Sequence, residues 1–262
     1  MILLKPNHSV GCLIVGLGLI LFQCCSFVYV TPSPSVLDQK KVSEIVASLR
    51  KQEGRVYTLF SSGSLMIKDK GSETESDILV AGIRDPLTIK VEITHPWGRP
   101  LLDILIQDSS IHILSFQDKR VYHGSLGGFA TSRFFPVGLD PDQIWSFLRG
   151  CPILREYDHA ISVKTNSITF LSKEEEVVQV MEVFSGSNFP RSISFPGRGI
   201  ETLYSDYEDH GGIFYARTIR LDDSKNDAMV ELSLKRMVFN EPIPDAIFKQ
   251  EVPPGFEAVL LK

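Results

Sequence analysis

Seven consecutive residues, Leu87-Thr-Ile-Lys-Val-Glu-Ile93, alternate apolar and polar side chains without a break. Only an extended chain sends every second side chain to the same side, so this run predicts a β-strand with one dry and one wet face. A second apolar run, Leu101 to Gln107, follows His95-Pro-Trp-Gly-Arg-Pro100, and the Pro-Trp-Gly turn joins the two as a hairpin. On the dry face Leu102, Ile104 and Ile106 continue the set Ile89, Val91 and Ile93. A slip of one residue would expose the whole set, so the pairing register is strongly specified. The turn carries Trp97 at its tip, where side chains normally face water. An indole between Pro96 and Gly98 calls for another partner: a membrane, a second protein or the protein's own core.

The same period of two extends on both sides of this hairpin. Strands are predicted at 56–68, 77–84, 87–94, 101–107, 111–116 and 119–123, with turns at KDKGSETES, RDP, HPWGRP, QDSS and FQDK. A second series covers 160–163, 167–171, 176–184, 191–195, 201–207, 213–221 and 228–239, and a last short strand lies near Ala258 to Leu261. The acidic stretches KEEE, DYEDHGG and DDSKND are spaced as hairpin turns. Short links between consecutive strands mean an antiparallel meander. A sheet this wide with one apolar face must curl around something.

Two helices are available to fill it. Residues 36–53 place Val42, Ile45, Val46 and Leu49 on one helical face and stop at Gly54. Between the two series of strands, Asp140-Pro141 opens a helix in the manner of an N-cap followed by proline at the first position, and Gly150 stops it. With Ile144, Trp145, Phe147 and Leu148 this helix is too apolar for a surface and suits the concave side of a curled sheet.

The first thirty residues are of another kind. Lys5 precedes an uncharged run from Val10 to Phe22, the pattern of a signal-peptide core, and Gln23-Cys24-Cys25 closes it. A cysteine in that place resembles the bacterial lipobox, which makes Cys24 or Cys25 the predicted site of lipid attachment at the end of a signal peptide spanning 1–25. The alternative is a retained membrane span over Val10 to Val30, since about 20 apolar residues cross a bilayer. Residues 26–35, with TPSPS, then form an extended tether, and 36–262 a single domain.

A net charge of −5 without a lysine or arginine cluster argues against nucleic acid. Of the four cysteines only Cys151 falls in the globular part, where it reads as a small buried hydrophobe. The histidines are scattered, without HExxH, zinc spacing, a GxSxG elbow or a phosphate loop. No catalytic residue, metal site or cofactor is predicted.

Three features in order resemble the LolA/LolB family of periplasmic lipoprotein carriers, and within it the outer-membrane receivers. They are the amphipathic helix leading to a strand with Gly63, the HPWG turn, and the helix ending FLRGCP. Pro96, Trp97 and Gly98 match the protruding turn of that family, and Gly150 and Pro152 match its helix stop. His95 replaces the family's usual asparagine, and the C-terminal part is longer. The resemblance implies an unclosed antiparallel β-barrel wrapped over helices, with Ile89, Val91, Ile93, Leu102, Ile104 and Ile106 in the wall of an acyl-chain cavity and Pro96-Trp97-Gly98 touching the membrane. It further implies a lipid-anchored protein on the periplasmic face of the outer membrane, which accepts acylated lipoproteins or other lipid from a LolA-like carrier. A tethered scaffold whose barrel is filled by Trp145, Phe147 and their neighbours is the competing expectation.

Overall fold

The computed structural model describes residues 36–129 and 134–261. The signal-like segment, the tether, and with them Cys24 and Cys25, lie outside the described residues. Among those described, fourteen strands form one continuous sheet. The first six are β1 (Thr58–Asp69), β2 (Ser72–Ile83), β3 (Thr88–Thr94), β4 (Pro100–Gln107), β5 (Ser110–Ser115) and β6 (Arg120–Ser125). The next four are β7 (His159–Lys164), β8 (Ser167–Leu171), β9 (Val177–Val183) and β10 (Pro190–Phe195). β11 (Ile200–His210), β12 (Ile213–Asp223), β13 (Ala228–Phe239) and β14 (Glu257–Leu260) complete the sheet. Among the described residues three α-helices accompany it, α1 (Gln39–Glu53), the short α2 (Leu126–Phe129) and α3 (Pro141–Arg149), with a 3-10 turn at Asp245–Phe248.

The sheet order is β14, β6, β5, β4, β3, β2, β1, β13, β12, β11, β10, β9, β8, β7. The two meanders thus meet where β1 pairs with β13, and the sheet stays unclosed between β14 and β7. Every neighbouring pair is antiparallel except β14 with β6, which is parallel. This is the half-barrel expected from the alternation and from the family resemblance.

Two polar stretches expected as turns are strand instead. The KDKGSETES segment turns only at Lys70 and Gly71, both at positive φ, and β2 begins at Ser72. Likewise β11 runs through the acidic residues to His210, and only Gly211 and Gly212 turn. Both are two-residue hairpins, for which paired positive φ matches the strand twist. The strand ends project past the core with both faces wet, so backbone pairing continues where the apolar alternation has stopped.

α1 buries Val42, Ile45, Val46 and Leu49 against the core, and Asp38 caps its first turn. Its buried Gln52 bridges the β11–β12 hairpin, donating to the Gly212 carbonyl and accepting from the Phe214 N–H. α3 starts in a full capping box between Asp140 and Gln143, a device typically contributing about 1 kcal/mol. Its Trp145 is 1% exposed. The indole fills a notch at Gly82, where a Cβ would lie 3.0 Å from the ring. At the far end Arg149 is fully buried and donates from one guanidinium nitrogen to the carbonyls of Gln52 and Glu53, tying the ends of α1 and α3 together.

The C-terminal residues form a strap across the convex face. Phe248 packs on Ala81 and Leu105. Beside it the 4%-exposed Lys90 is matched by Asp103 at 2.8 Å and by the Lys249 carbonyl. Gln250 donates to Asp103 as well. A lone ammonium would be costly there, and this set of acceptors is what makes its burial tolerable. The strap then pairs as β14 along β6, covering an edge that would otherwise offer open hydrogen bonds.

Candidate functional site

β3 and β4 pair with Ile89 opposite Ile106, Val91 opposite Ile104, and Ile93 opposite Leu102. The register therefore places the six predicted wall residues on one face, as the alternation requires. Pairing extends the face to Ile78 on β2, opposite Ile93, and to Ile113 and Ser115 on β5. Leu65 and Ile67 on β1 lie opposite Ser76 and Thr74.

Over this face is a cavity of about 480 Å³. Val91, Ile93, Leu102, Ile104 and Ile106 line it, with Leu65, Ile67 and Ile78. Its opposite wall comes from α3, through Ile144, Phe147 and Leu148, and from the preceding segment, through Phe134, Phe135 and Leu139. Ile89 is not part of the lining. It is fully buried and pairs with Gly82, where the Trp145 ring occupies the space. The helix thus packs one end of the concave face and leaves the other open, an arrangement between the empty and the filled barrel.

Polar lining residues gather at one end of the cavity. Thr74 and Ser76 stand at the start of β2, Ser115 at the end of β5, and Gln117 and Asp118 in the turn that follows. Because β1, β3 and β5 run in one direction, the three turns after them project from this same end of the sheet. The middle one carries Trp97.

Trp97 is 89% exposed, the most exposed of the large apolar side chains among the described residues. The core reading of the indole is thereby set aside. The Gly98 N–H donates to the His95 carbonyl at 2.7 Å, and the His95 N–H to the Arg99 carbonyl at 2.8 Å. With Gly98 at φ +81°, this is a three-residue hairpin loop of the tight-turn-plus-bulge kind. Pro96 and Gly98 hold the backbone while the His95 ring supports the indole at 4.5 Å.

A second cavity, about 540 Å³, lies on the other flank of α3 against β9 to β11. Asp140, Asp142, Arg155 and Glu156 are in its lining, so it is no place for a hydrocarbon chain. At its base the Tyr204 hydroxyl meets Ser146 at 3.2 Å, and burial pushes the Tyr204 hydroxyl pKa upward. Cys151 is free and buried. Among the described residues no three histidine, cysteine or acidic side chains cluster as a metal site would require, and no helix is long and apolar enough to cross a membrane.

The sequence placed five of the twenty lining residues, Val91, Ile93, Leu102, Ile104 and Ile106, in the wall and left most of the rest unassigned. Thr74 and Ser76 were hidden in a stretch read as a turn. Phe134 and Phe135 sit in an irregular segment whose adjacent aromatics were the available signal. Leu65 and Ile67 alternate plainly in β1, but nothing local says that their face continues that of β3.

No protein-family model and no curated protein matches this chain. Solved structures do. A DUF1329 family protein from Desulfovibrio piger superposes with a TM-score of 0.55 at 11% identity, covering 80% of this chain and 97% of its own. A Vibrio parahaemolyticus domain named for outer-membrane lipoprotein sorting gives 0.52 at 10% identity, covering 78% and 94%. A LolA superfamily protein from Nitrosomonas europaea gives 0.51 at 15% identity, covering 79% and 97%. The fold is therefore the unclosed antiparallel barrel of LolA-like proteins. At these identities the likeness establishes the fold alone.

Proposed function

We propose that this chain is a lipid-binding transfer protein of the cell envelope, tethered by its N-terminus, which shelters acyl chains in the cavity between β1–β5 and α3. The observation that carries the reading is the pairing of an apolar cavity of about 480 Å³ with an 89%-exposed tryptophan at the same end of the sheet. A cavity with a dry wall and a polar mouth suits a chain with a polar head, and an indole suits a bilayer interface. The fold shared with a lipoprotein-sorting domain and a LolA superfamily protein supports the same reading. Its finer form is a receiver attached through Cys24 or Cys25 to the outer membrane, which takes acylated lipoproteins from a LolA-like carrier and passes them on across the Trp97 turn. No step in this requires catalysis or a cofactor.

The decisive measurement is native mass spectrometry of the full chain released from its membrane. An acyl lipid retained on the folded protein, and lost when the cavity is filled by substitution, supports the reading. A folded protein that neither retains nor takes up any acylated compound would instead favour a tethered scaffold.

A further inference from the structure

The dimensions of the cavity limit what can enter. A water molecule takes about 30 Å³ in the liquid and a methylene group is of similar size, so about 480 Å³ holds roughly sixteen methylenes. Two such chains would need twice the space. The shape agrees with the volume. The lining runs diagonally across the sheet, from Ile67 and Thr74 through the row Ile78, Ile93, Leu102 down to Ile106. At about 3.4 Å per residue the eight residue steps along that path span about 27 Å. A slot this long and of this volume has the width of a single hydrocarbon chain. Its ends differ: Thr74, Ser76, Gln117 and the Asp118 carboxylate stand toward the hairpin end, with Ser115 level with the Leu102 row, and the aliphatic Ile106 stands at the other.

We infer that the cavity takes one acyl chain of about sixteen carbons, methyl end first, with the chain's ester or amide held at the mouth, so that the ligand is a singly acylated lipid. This rests on the reading of the cavity as a lipid site and departs from the lipoprotein form of that reading, since the diacylglyceryl group of a lipoprotein cannot be enclosed whole. Chains shorter than the slot leave it part empty and lose affinity with each missing methylene. Longer ones protrude into the mouth and gain nothing more.

The test uses the full chain in a steroid-based detergent, which offers no alkyl chain of its own, with binding read by native mass spectrometry. The ligands are monoacylglycerols of 10 to 20 carbons and dipalmitoylglycerol. The expected result is one monoacylglycerol per protein, with affinity rising about fourfold per methylene up to about sixteen carbons and level beyond, and dipalmitoylglycerol at least tenfold weaker than monopalmitoylglycerol. An Ile104→Trp variant should keep 10-carbon binding and lose the gain beyond about 12 carbons, a change of cut-off that a misfolded protein would not show. Two monoacylglycerols per chain, or dipalmitoylglycerol bound as tightly as the single-chain lipid, would overturn the one-chain slot while leaving a lipid site in place. Absence of binding by every lipid would overturn both the slot and the lipid reading.

Discussion

The carbonyl of Gly150 accepts the backbone N–H of Ala216 at 2.6 Å, so the end of α3 is stitched directly onto β12. Gly150 sits at φ +70°, and a Cβ there would collide with the Ala216 carbonyl. One bond thereby fixes the height at which the plug helix enters the half-barrel, and with it the roof of the cavity formed by Ile144, Phe147 and Leu148.

Gly150→Ala must meet both the left-handed backbone and that collision, and should cost about 2 to 3 kcal/mol. Gly54, which ends α1, has ordinary helical φ and open space around its missing Cβ. Gly54→Ala should stay within about 0.5 kcal/mol of the parent. Urea unfolding of the two variants separates them, and equal stabilities would mean that the α3 junction is not tight.

Val91 lines the cavity, whereas Ile89, two residues earlier on the same face, is packed shut. Val91→Phe should therefore find room, change stability little and lower acyl-lipid binding at least tenfold. Ile89→Phe has no room and should lose about 1 to 3 kcal/mol through overpacking. Unchanged lipid uptake by a folded Val91→Phe protein would remove β3 from the binding wall.

Trp97→Glu should fold like the parent, within about 0.5 kcal/mol, because the side chain is solvent-exposed. Transfer of a bound fluorescent acyl lipid to vesicles should slow at least tenfold, while uptake into the cavity is retained. Normal transfer by the folded variant would deny the turn a membrane role.

Cys24 and Cys25 are expected to carry the lipid anchor between them. Metabolic labelling with an alkyne fatty acid should mark the chain, and the double substitution to alanine should abolish the label and move the protein out of the outer-membrane fraction. Membrane association that survives the double substitution would point to the retained-span alternative.

Alkaline pH should weaken the fold through its buried tyrosines. Burial, followed by the hydrogen bond and charge of Glu208, pushes the Tyr215 hydroxyl up to about 12; its OH donates to Glu208 at 2.8 Å. Burial also raises Tyr204 and Tyr207. A hydroxyl whose pKa is higher folded than unfolded holds its proton longer in the native state. Stability is thus independent of these groups below about pH 10 and falls as pH climbs from about 10 to about 12. Tyr215→Phe should make that fall shallower in denaturation measured at pH 9, 10 and 11. Equal slopes for parent and variant would contradict the assignment.

The sequence alone determined the class of fold and the faces of its strands. The period of two from Leu87 to Ile93, and its echo in Leu102, Ile104 and Ile106, made one register far better than its neighbours, because a slip exposes every apolar side chain at once. Asp140, Pro141 and Gly150 bounded the plug helix by local hydrogen-bonding and φ requirements, which need no distant partner. Whether Trp97 was buried or exposed could not be read there, because burial depends on what else reaches a residue in space. The same holds for the cavity: Ile89 and Val91 are equivalent in the pattern, and only the placement of Trp145 in the Gly82 notch fills the space over one and leaves it open over the other. The polar mouth was equally hidden, since Thr74 and Ser76 join it through pairings with Ile67 and Leu65 from a part of β2 that carries no apolar alternation of its own. Local chemistry settled strands, turns and caps, and long-range packing decided where the empty space lies and which side chains look into it.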